Sequence, residues 1–282
     1  MEDPRELPKR QLGRLQYRAT LFALGGEGVL RTYGKAHEAQ GVIQRALDLG
    51  VNYFDTAPAY AGSMDYYGAA LSGRRAGIFL ASKTADRGRD GSLSILDDTL
   101  RRLRTDRLDL WQLHDVRTRT ELKQIFSPQG AIHALLQAQA EGRVGHLGIT
   151  GHHDPAVLAE ALERFHFDTV LIPLNFADVH RLSFARVVLP VARRKGTAVI
   201  AMKVYSAGLL VQPGSPSCAA EALRYTLELP GVACATIGCR TIAEVEENAA
   251  IVRGFHPLPD SRRAELEALH RHKRWIRYKK GH

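Results

Sequence analysis

Short apolar runs rich in branched or aromatic residues recur along this chain: TLFALG from residue 20, VNYF from 51, IFLAS from 78, LDLWQL from 108, VGHLGI from 144, TVLIPL from 169, AVIAM from 198 and VACATI from 232. Both faces of each run are apolar or nearly so, the pattern of a strand buried on both sides. Between them lie longer segments with helical periodicity, among them HEAQGVIQRALDLG, SLSILDDTLRRLRTD, AIHALLQAQAEGRVG and TIAEVEENAAIV. Leu96, Leu100 and Leu103 share one helical face, and Ile132, Leu135, Leu136 and Gln139 share another. Gly50, Gly142 and Gly145 fall at predicted helix ends, where a left-handed cap favours glycine.

Strand then helix, repeated about eight times at a period of roughly 25–36 residues, predicts an α/β fold of the (β/α)8 TIM-barrel type. The rival is a doubly wound sheet, which calls for a Gly-rich phosphate loop after the first strand. The segment LGGEGVLRTYG offers only a loose GxG there. Upstream, PKRQLGRLQYRAT alternates in polarity around Gly13 and predicts a two-stranded hairpin over about 7–19, placed to floor the barrel. The expected organisation is one domain over 1–282, with the barrel spanning about 20–252 and a C-terminal helical tail about 260–282.

Composition narrows the class. With 282 residues, 45% hydrophobic and 24% charged, the chain is ordinary for a soluble globular protein. No apolar run approaches the roughly 20 residues of a membrane helix, and MEDPRELPKRQLGR is too polar for a secretory signal, so a cytoplasmic protein without membrane partners is expected. Cys218, Cys234 and Cys239 lack paired or metal-ligand spacing and read as reduced thiols. The net charge of +9 is concentrated at the end, where HRHKRWIRYKKGH carries six Lys or Arg and no acid. Nucleic-acid binding is the sharper reading of that tail. The favoured one is a terminal helix packed on the body, because Leu266, Leu269 and Ile276 lie near helical spacing.

In a parallel barrel the chemistry gathers at the C-terminal ends of the strands. The second run ends in Asp55 with Tyr60 in the next loop, the third in Ser82-Lys83, and the fourth in His114-Asp115. The fifth ends in Thr150-Gly151-His152, the sixth at Asn175, the seventh in Lys203, and the eighth at Gly238 with Arg240 beyond. A phenol with a pKa near 10 donates a proton at neutral pH, and a nearby ammonium lowers that pKa. Asp55 would keep Lys83 charged, and His114 would hold a carbonyl oxygen near the phenol. Singly, each has a plainer reading: Asp55 as a helix cap, Tyr60 as a loop aromatic, Lys83 as a rim ion-pair partner, His114 as a core histidine. Their joint placement favours the proton-delivery set.

These residues sit in GVNYFDTAPAY, ASKT, LDLWQLHD, GRVGHLGITGH and TIGCRTIAEVEEN, and through these motifs the chain resembles the aldo-keto reductase superfamily from near Lys9 to about Val252. That resemblance implies a nicotinamide dinucleotide laid across the barrel rim and hydride transfer to an aldehyde or ketone. It makes Tyr60 the proton donor, tuned by Lys83 and Asp55, with His114 orienting the substrate. It also implies cofactor contacts at Gly26, Asp55, Thr150, Gly151, Asn175, Met202, Lys203, Tyr205, Gly238, Arg240, Glu244, Glu247 and Asn248. Arg240 matches the place where the family holds the adenosine 2′-phosphate, and a guanidinium suits that group, so NADPH is favoured over NADH. A surface charge is the plainer reading of Arg240, as an exposed helix residue is of Glu247.

The chain departs from the commonest family pattern at several positions. Thr150-Gly151-His152 replaces a Ser-Asn pair, Asn175 a longer glutamine, and Met202 an aromatic that stacks on the nicotinamide. A metal site at His152, His153 and Asp154 is not expected: adjacent histidines diverge on most backbones and no third ligand has suitable spacing. Asp154-Pro155 instead predicts the start of a helix, with Asp as N-cap. Two other functions stay open. Lys83 and Lys203 both end strands, as a Schiff-base aldolase would need, and some family members are cofactor-bearing regulatory subunits. Tyr33, Tyr66, Trp111 and Tyr205 either line the substrate pocket or pack in the core. The substrate and the oligomeric state are not encoded in any motif.

Overall fold

A computed structural model describes residues 6–212 and 217–269. The hairpin strands are β1 (Lys9–Gln11) and β2 (Arg18–Thr20), paired antiparallel. The eight apolar runs form β3 (Phe22–Gly28), β4 (Tyr53–Asp55), β5 (Phe79–Thr84), β6 (Leu108–Leu113), β7 (Val144–Thr150), β8 (Thr169–Pro173), β9 (Ala198–Met202) and β10 (Val232–Cys239). All neighbours pair parallel, and β10 closes on β3, completing the (β/α)8 barrel.

The connecting helices are α1 (Ala36–Asp48), α2 (Ser63–Leu71), α3 (Arg89–Leu103), α4 (Arg119–Ile125), α5 (Ala131–Ala140), α6 (Pro155–Arg164), α7 (Phe184–Lys195), α8 (Ala219–Glu228) and α9 (Ile242–Arg253), followed by α10 (Asp260–Leu269). Gly50 and Gly142 follow α1 and α5 with φ of 84° and 74°, as helix ends require. Gly145 corrects the pattern reading. It lies inside β7, where an added Cβ would meet the Asp109 carbonyl oxygen at 3.0 Å. Leu136 is likewise exposed, although Ile132 and Leu135 are buried.

Strand periodicity sorts the side chains into two cores. Phe54, Leu80, Trp111 and Leu113 face the surrounding helices. Tyr53, Phe79, Ala81, Leu110, Leu171 and Ile200 fill the barrel, with Leu12, Leu15 and Ala19 of the hairpin segment in the same cluster. Tyr53 stacks on Phe79 with ring centroids 5.1 Å apart. This packed interior makes the barrel a solid support rather than a channel. α10 packs on α8: Leu266 is buried, Arg262 pairs with Glu221 at 2.7 Å, and the Tyr225 hydroxyl donates to Glu267 at 2.7 Å. Leu269, expected on the same face, is 39% exposed. The expected continuation of this helix to 282, with Trp275, Ile276, Tyr278 and the basic stretch, lies outside the described residues. Among the described residues no helix is long and apolar enough to cross a membrane.

Candidate active site

Asp55 ends β4 two residues after Tyr53, so it shares the inward direction of Tyr53 and sits one layer higher. The same period carries Phe79 and Ala81 to Lys83 on β5, and Leu110 to Gln112 on β6. Register does the rest: Ala81 lies opposite Asp55 and Leu110, and Lys83 opposite Gln112. The Lys83 ammonium consequently makes a tight ion pair with Asp55 Oδ1 and donates to the Thr56 carbonyl at 2.8 Å. Gln112 Nε2 donates to Asp55 Oδ2 at 3.1 Å. Both partners of the ion pair are almost fully buried, Lys83 at 0% and Asp55 at 4% side-chain exposure.

Tyr60 stands over this pair at the end of a tight turn, its amide donating to the Ala57 carbonyl at 3.0 Å. Its ring centroid lies 4.7 Å from Lys83 Nζ and 5.4 Å from the Arg31 guanidinium carbon. The turn is pinned where the Thr56 and Ser63 hydroxyls meet at 2.8 Å. Gly26 on β3 borders it, and a Cβ there would meet Ser63 Oγ at 2.5 Å and Tyr60 Cδ2 at 3.0 Å. His114 follows β6, its amide bonded to the Thr84 carbonyl at 2.8 Å, and its ring meets that of Tyr60 edge-on at 5.7 Å.

Burial sets the protonation of this group. Desolvation, aided by the Lys83 charge, depresses His114 from 6.5 to about 3, so a neutral imidazole faces the cavity. Burial works against the Lys83 ammonium, but the charges and hydrogen bonds of Asp55 and Tyr60 together outweigh it and hold Lys83 above the usual ammonium value. Burial pushes the Asp55 carboxyl up, against the pull of Lys83 and Gln112. For Tyr60 the balance corrects the expectation from sequence: Lys83 does pull the phenol down, but desolvation of the phenolate is larger and the net direction is upward.

A cavity of about 990 Å³ opens above these side chains. It is lined by Asp55, Tyr60 and His114 and, among the positions anticipated for the cofactor, by Gly26, Thr150, Met202, Lys203, Tyr205, Gly238, Arg240, Glu244, Glu247 and Asn248. Lys83 lies beneath it. Two anticipated residues do not reach it. Asn175 is turned into the protein, donating to the Lys203 carbonyl at 3.0 Å and to Asp178 Oδ2 at 3.2 Å while accepting from the Ala177 amide. Gly151 is packed against Val116, whose carbonyl oxygen a Cβ would meet at 2.6 Å. Of the aromatic candidates only Tyr205 lines the cavity. Trp111 is buried against the helices, the Tyr66 hydroxyl donates to the Thr32 carbonyl at 2.9 Å, and Tyr33 is 78% exposed.

Along the cavity lining the Arg240 guanidinium is held by Glu244 at 3.1 Å and remains largely exposed. Asn248 accepts a short hydrogen bond from the Tyr205 hydroxyl and donates to the Glu244 carbonyl at 2.7 Å. Glu27 bridges toward Lys203 at 3.9 Å across the opening. Sequence reasoning missed Gln112, although its place two residues beyond Leu110 carried the signal. It also missed Glu27, Arg31 and Arg117, which line the cavity from loops without a distinguishing pattern.

His152 and His153 do not diverge as anticipated, and Asp115 stands within reach of both. Their rings lie together, with centroids 4.6 Å apart, and both approach Asp115, while Asp154 caps α6 as anticipated by accepting from the Ala156 amide at 2.8 Å.

Comparison with known proteins agrees with this architecture. The profile of the Aldo/keto reductase family matches residues 22–217. L-galactose dehydrogenase of Arabidopsis thaliana is 26% identical over 307 residues, covering 92% of this chain and 93% of that protein. D-threo-aldose 1-dehydrogenase of Pseudomonas sp is 29% identical over 215 residues, 62% of each. An aldo-keto reductase from Bacillus halodurans, in its holo form, superposes with a TM-score of 0.78 at 24% identity, covering 94% of this chain and all of that one. An aldo/keto reductase from Klebsiella pneumoniae, solved with NADP and acetate, also gives 0.78, at 23% identity over 95% and 97% of the two chains. At these identities the two structural likenesses speak to the fold.

Proposed function

The chain belongs to the aldo/keto reductase family of NAD(P)H-dependent oxidoreductases, and from that premise we propose that it reduces an aldehyde or ketone with NADPH, Tyr60 supplying the proton. The observation that carries this reading is the buried Lys83–Asp55 pair directly below the Tyr60 ring, with the neutral His114 imidazole at its edge.

The residues fit a nicotinamide dinucleotide on this structure's own terms. Thr236 lines the cavity, and its buried Oγ1 has no hydrogen-bond partner among the described residues. The lining mixes polar and apolar side chains, and it includes a largely exposed guanidinium, Arg240, where a 2′-phosphate would find a charge-assisted partner. Gly26, Thr150, Met202, Lys203, Tyr205, Gly238, Glu244, Glu247 and Asn248 are the remaining residues that would hold it. When bound, the reduced nicotinamide supplies the hydride for the carbonyl carbon.

This chain's own groups handle the oxygen. His114, uncharged, donates an N–H to the carbonyl oxygen and fixes its position without itself being a proton source. As negative charge builds on that oxygen, the Lys83 ammonium below stabilises it through the Tyr60 phenol, which then gives up its proton. A phenol raised by burial stays protonated across neutral pH and still yields to an alkoxide, which is far more basic. Asp55 and the Thr56 carbonyl hold the ammonium in place.

The Schiff-base alternative requires a neutral amine. Lys83 is held charged against Asp55 and closed off from the cavity, which weighs against it. The direct test is loss of NADPH absorbance over a panel of aldehydes and ketones, with cofactor binding followed by fluorescence. Tyr60→Phe is expected to lower turnover by about 10²–10⁴-fold while NADPH binding stays near wild type. Full turnover in that variant would overturn the assignment. NADPH binding by the unaltered protein with no carbonyl reduced would point to a cofactor-bearing regulatory subunit instead.

A further inference from the structure

Beyond the reductase site, we propose that Asp115, His152 and His153 form a three-ligand site for a divalent cation of the zinc class at the rim of the cavity. One ligand atom from each of the three lies within 4.8 Å of the others. Both imidazoles address the same carboxylate oxygen: His152 Nε2 is 3.1 Å and His153 Nε2 is 3.5 Å from Asp115 Oδ1. A zinc ion bound to nitrogen at about 2.0–2.1 Å and to oxygen at about 2.0–2.2 Å, with tetrahedral angles, spaces its ligand atoms about 3.3–3.4 Å apart. The two observed separations bracket that figure.

Hydrogen bonding alone leaves this arrangement unexplained. Asp115 Oδ1 and His153 Nε2 are buried, and neither has a hydrogen-bond partner among the described residues. The other carboxylate oxygen is taken: Arg117 holds Asp115 Oδ2 at 2.7 Å, which leaves Oδ1 as a single-toothed ligand of fixed direction. That guanidinium lowers the site's affinity for a cation, but it is 47% exposed and its charge is partly screened.

The backbone holds the two loops together. The Val116 amide donates to the Thr150 carbonyl at 2.8 Å, zipping the loop after β6 to the last residue of β7. Gly151 permits that contact, since any larger residue would strike the Val116 carbonyl oxygen and Leu158. The Asp154 cap then anchors the far side of the histidine pair to α6. Asp115 itself has φ of 50°, a left-handed conformation uncommon outside Gly, Asn and Asp, maintained by this packing. Two imidazoles and one carboxylate suit Zn²⁺ and its neighbours, whereas Mg²⁺ and Ca²⁺ prefer oxygen ligands. Three protein ligands leave a position for water or a substrate oxygen, and Asp115 and His152 both line the cavity.

The test is calorimetric titration of the full chain, first stripped with a chelator, with Zn²⁺, together with the visible ligand-field spectrum of the Co²⁺ form. One tight ion per chain is expected, unaffected by excess Mg²⁺. Asp115→Asn keeps a residue that tolerates the left-handed backbone, and it should weaken binding at least about tenfold, as should His153→Ala. His153 does not line the cavity, so His153→Ala is expected to retain NADPH binding and thermal stability while losing the ion, and it carries the test if Asp115→Asn folds poorly. Because His270, His272 and His282 lie in the basic tail, a variant with all three changed to Ala must still bind the ion. Undiminished binding in His153→Ala, loss of binding in the tail variant, or no tight ion in the unaltered chain would each overturn the proposal.

Discussion

Replacing Lys83 with methionine tests the centre of the site most sharply, because stability and turnover should respond differently. The side chain it removes is fully buried, and its partner Asp55 is 4% exposed. Without the ammonium, Asp55 keeps only the Gln112 hydrogen bond among the described residues. Stranding a buried charge in this way costs about 3–5 kcal/mol, which corresponds to a fall in Tm of roughly 5–8 °C for a chain of this size. Removing the carboxylate charge as well, in Lys83→Met with Asp55→Asn, leaves no uncompensated ion and should restore most of the loss. Neither variant should turn over, since Tyr60 has lost the cation beneath it.

The single variant also carries a pH signature. Burial already raises the Asp55 carboxyl with Lys83 present, and losing the cation raises it further. Between the unfolded and the higher folded pKa, the folded state binds more protons. Stability therefore falls as pH rises through that window, by at most about 1.4 kcal/mol per pH unit. Urea denaturation of wild type, single and double variants at pH 5 and 7 reads all of this. A single variant as stable as wild type, or a double variant no better than the single, would refute the reasoning.

Further expectations follow from the same geometry. His114 is neutral down to about pH 3 when folded but titrates near 6.5 when unfolded, so the unfolded chain binds the extra proton and stability falls on acidification between those values. His114→Gln should flatten that slope in denaturation curves, and an unchanged slope would show that His114 is not the group responsible. Gly26→Ala forces a Cβ against Ser63 Oγ and Tyr60 Cδ2, so kcat should fall while the melting curve shifts little; kinetics indistinguishable from wild type would show that the turn has room. Arg240→Ala should raise the Kd for NADPH about tenfold and leave that for NADH nearly unchanged. Glu244→Gln, by releasing the guanidinium, should lower the Kd for NADPH. Equal effects on both cofactors by fluorescence titration would remove the 2′-phosphate from the reading of Arg240.

Sequence alone determined the barrel and the direction of its inward side chains. Eight branched, apolar runs separated by helical segments admit few other closed arrangements, and the two-residue strand period already points Asp55 and Lys83 the same way as Tyr53 and Phe79. What needed the tertiary structure was everything set by neighbours distant along the chain. Register between β5 and β6 brought Gln112 to the ion pair. Packing between adjacent loops turned Asn175 and Gly151 away from the cavity and drew His152 and His153 onto Asp115. Burial, a property of the whole fold, reversed the expected direction for Tyr60. Local pattern fixes which face a residue takes, because it depends only on backbone period. Contacts and fields depend on which segments meet, and no single segment carries that information.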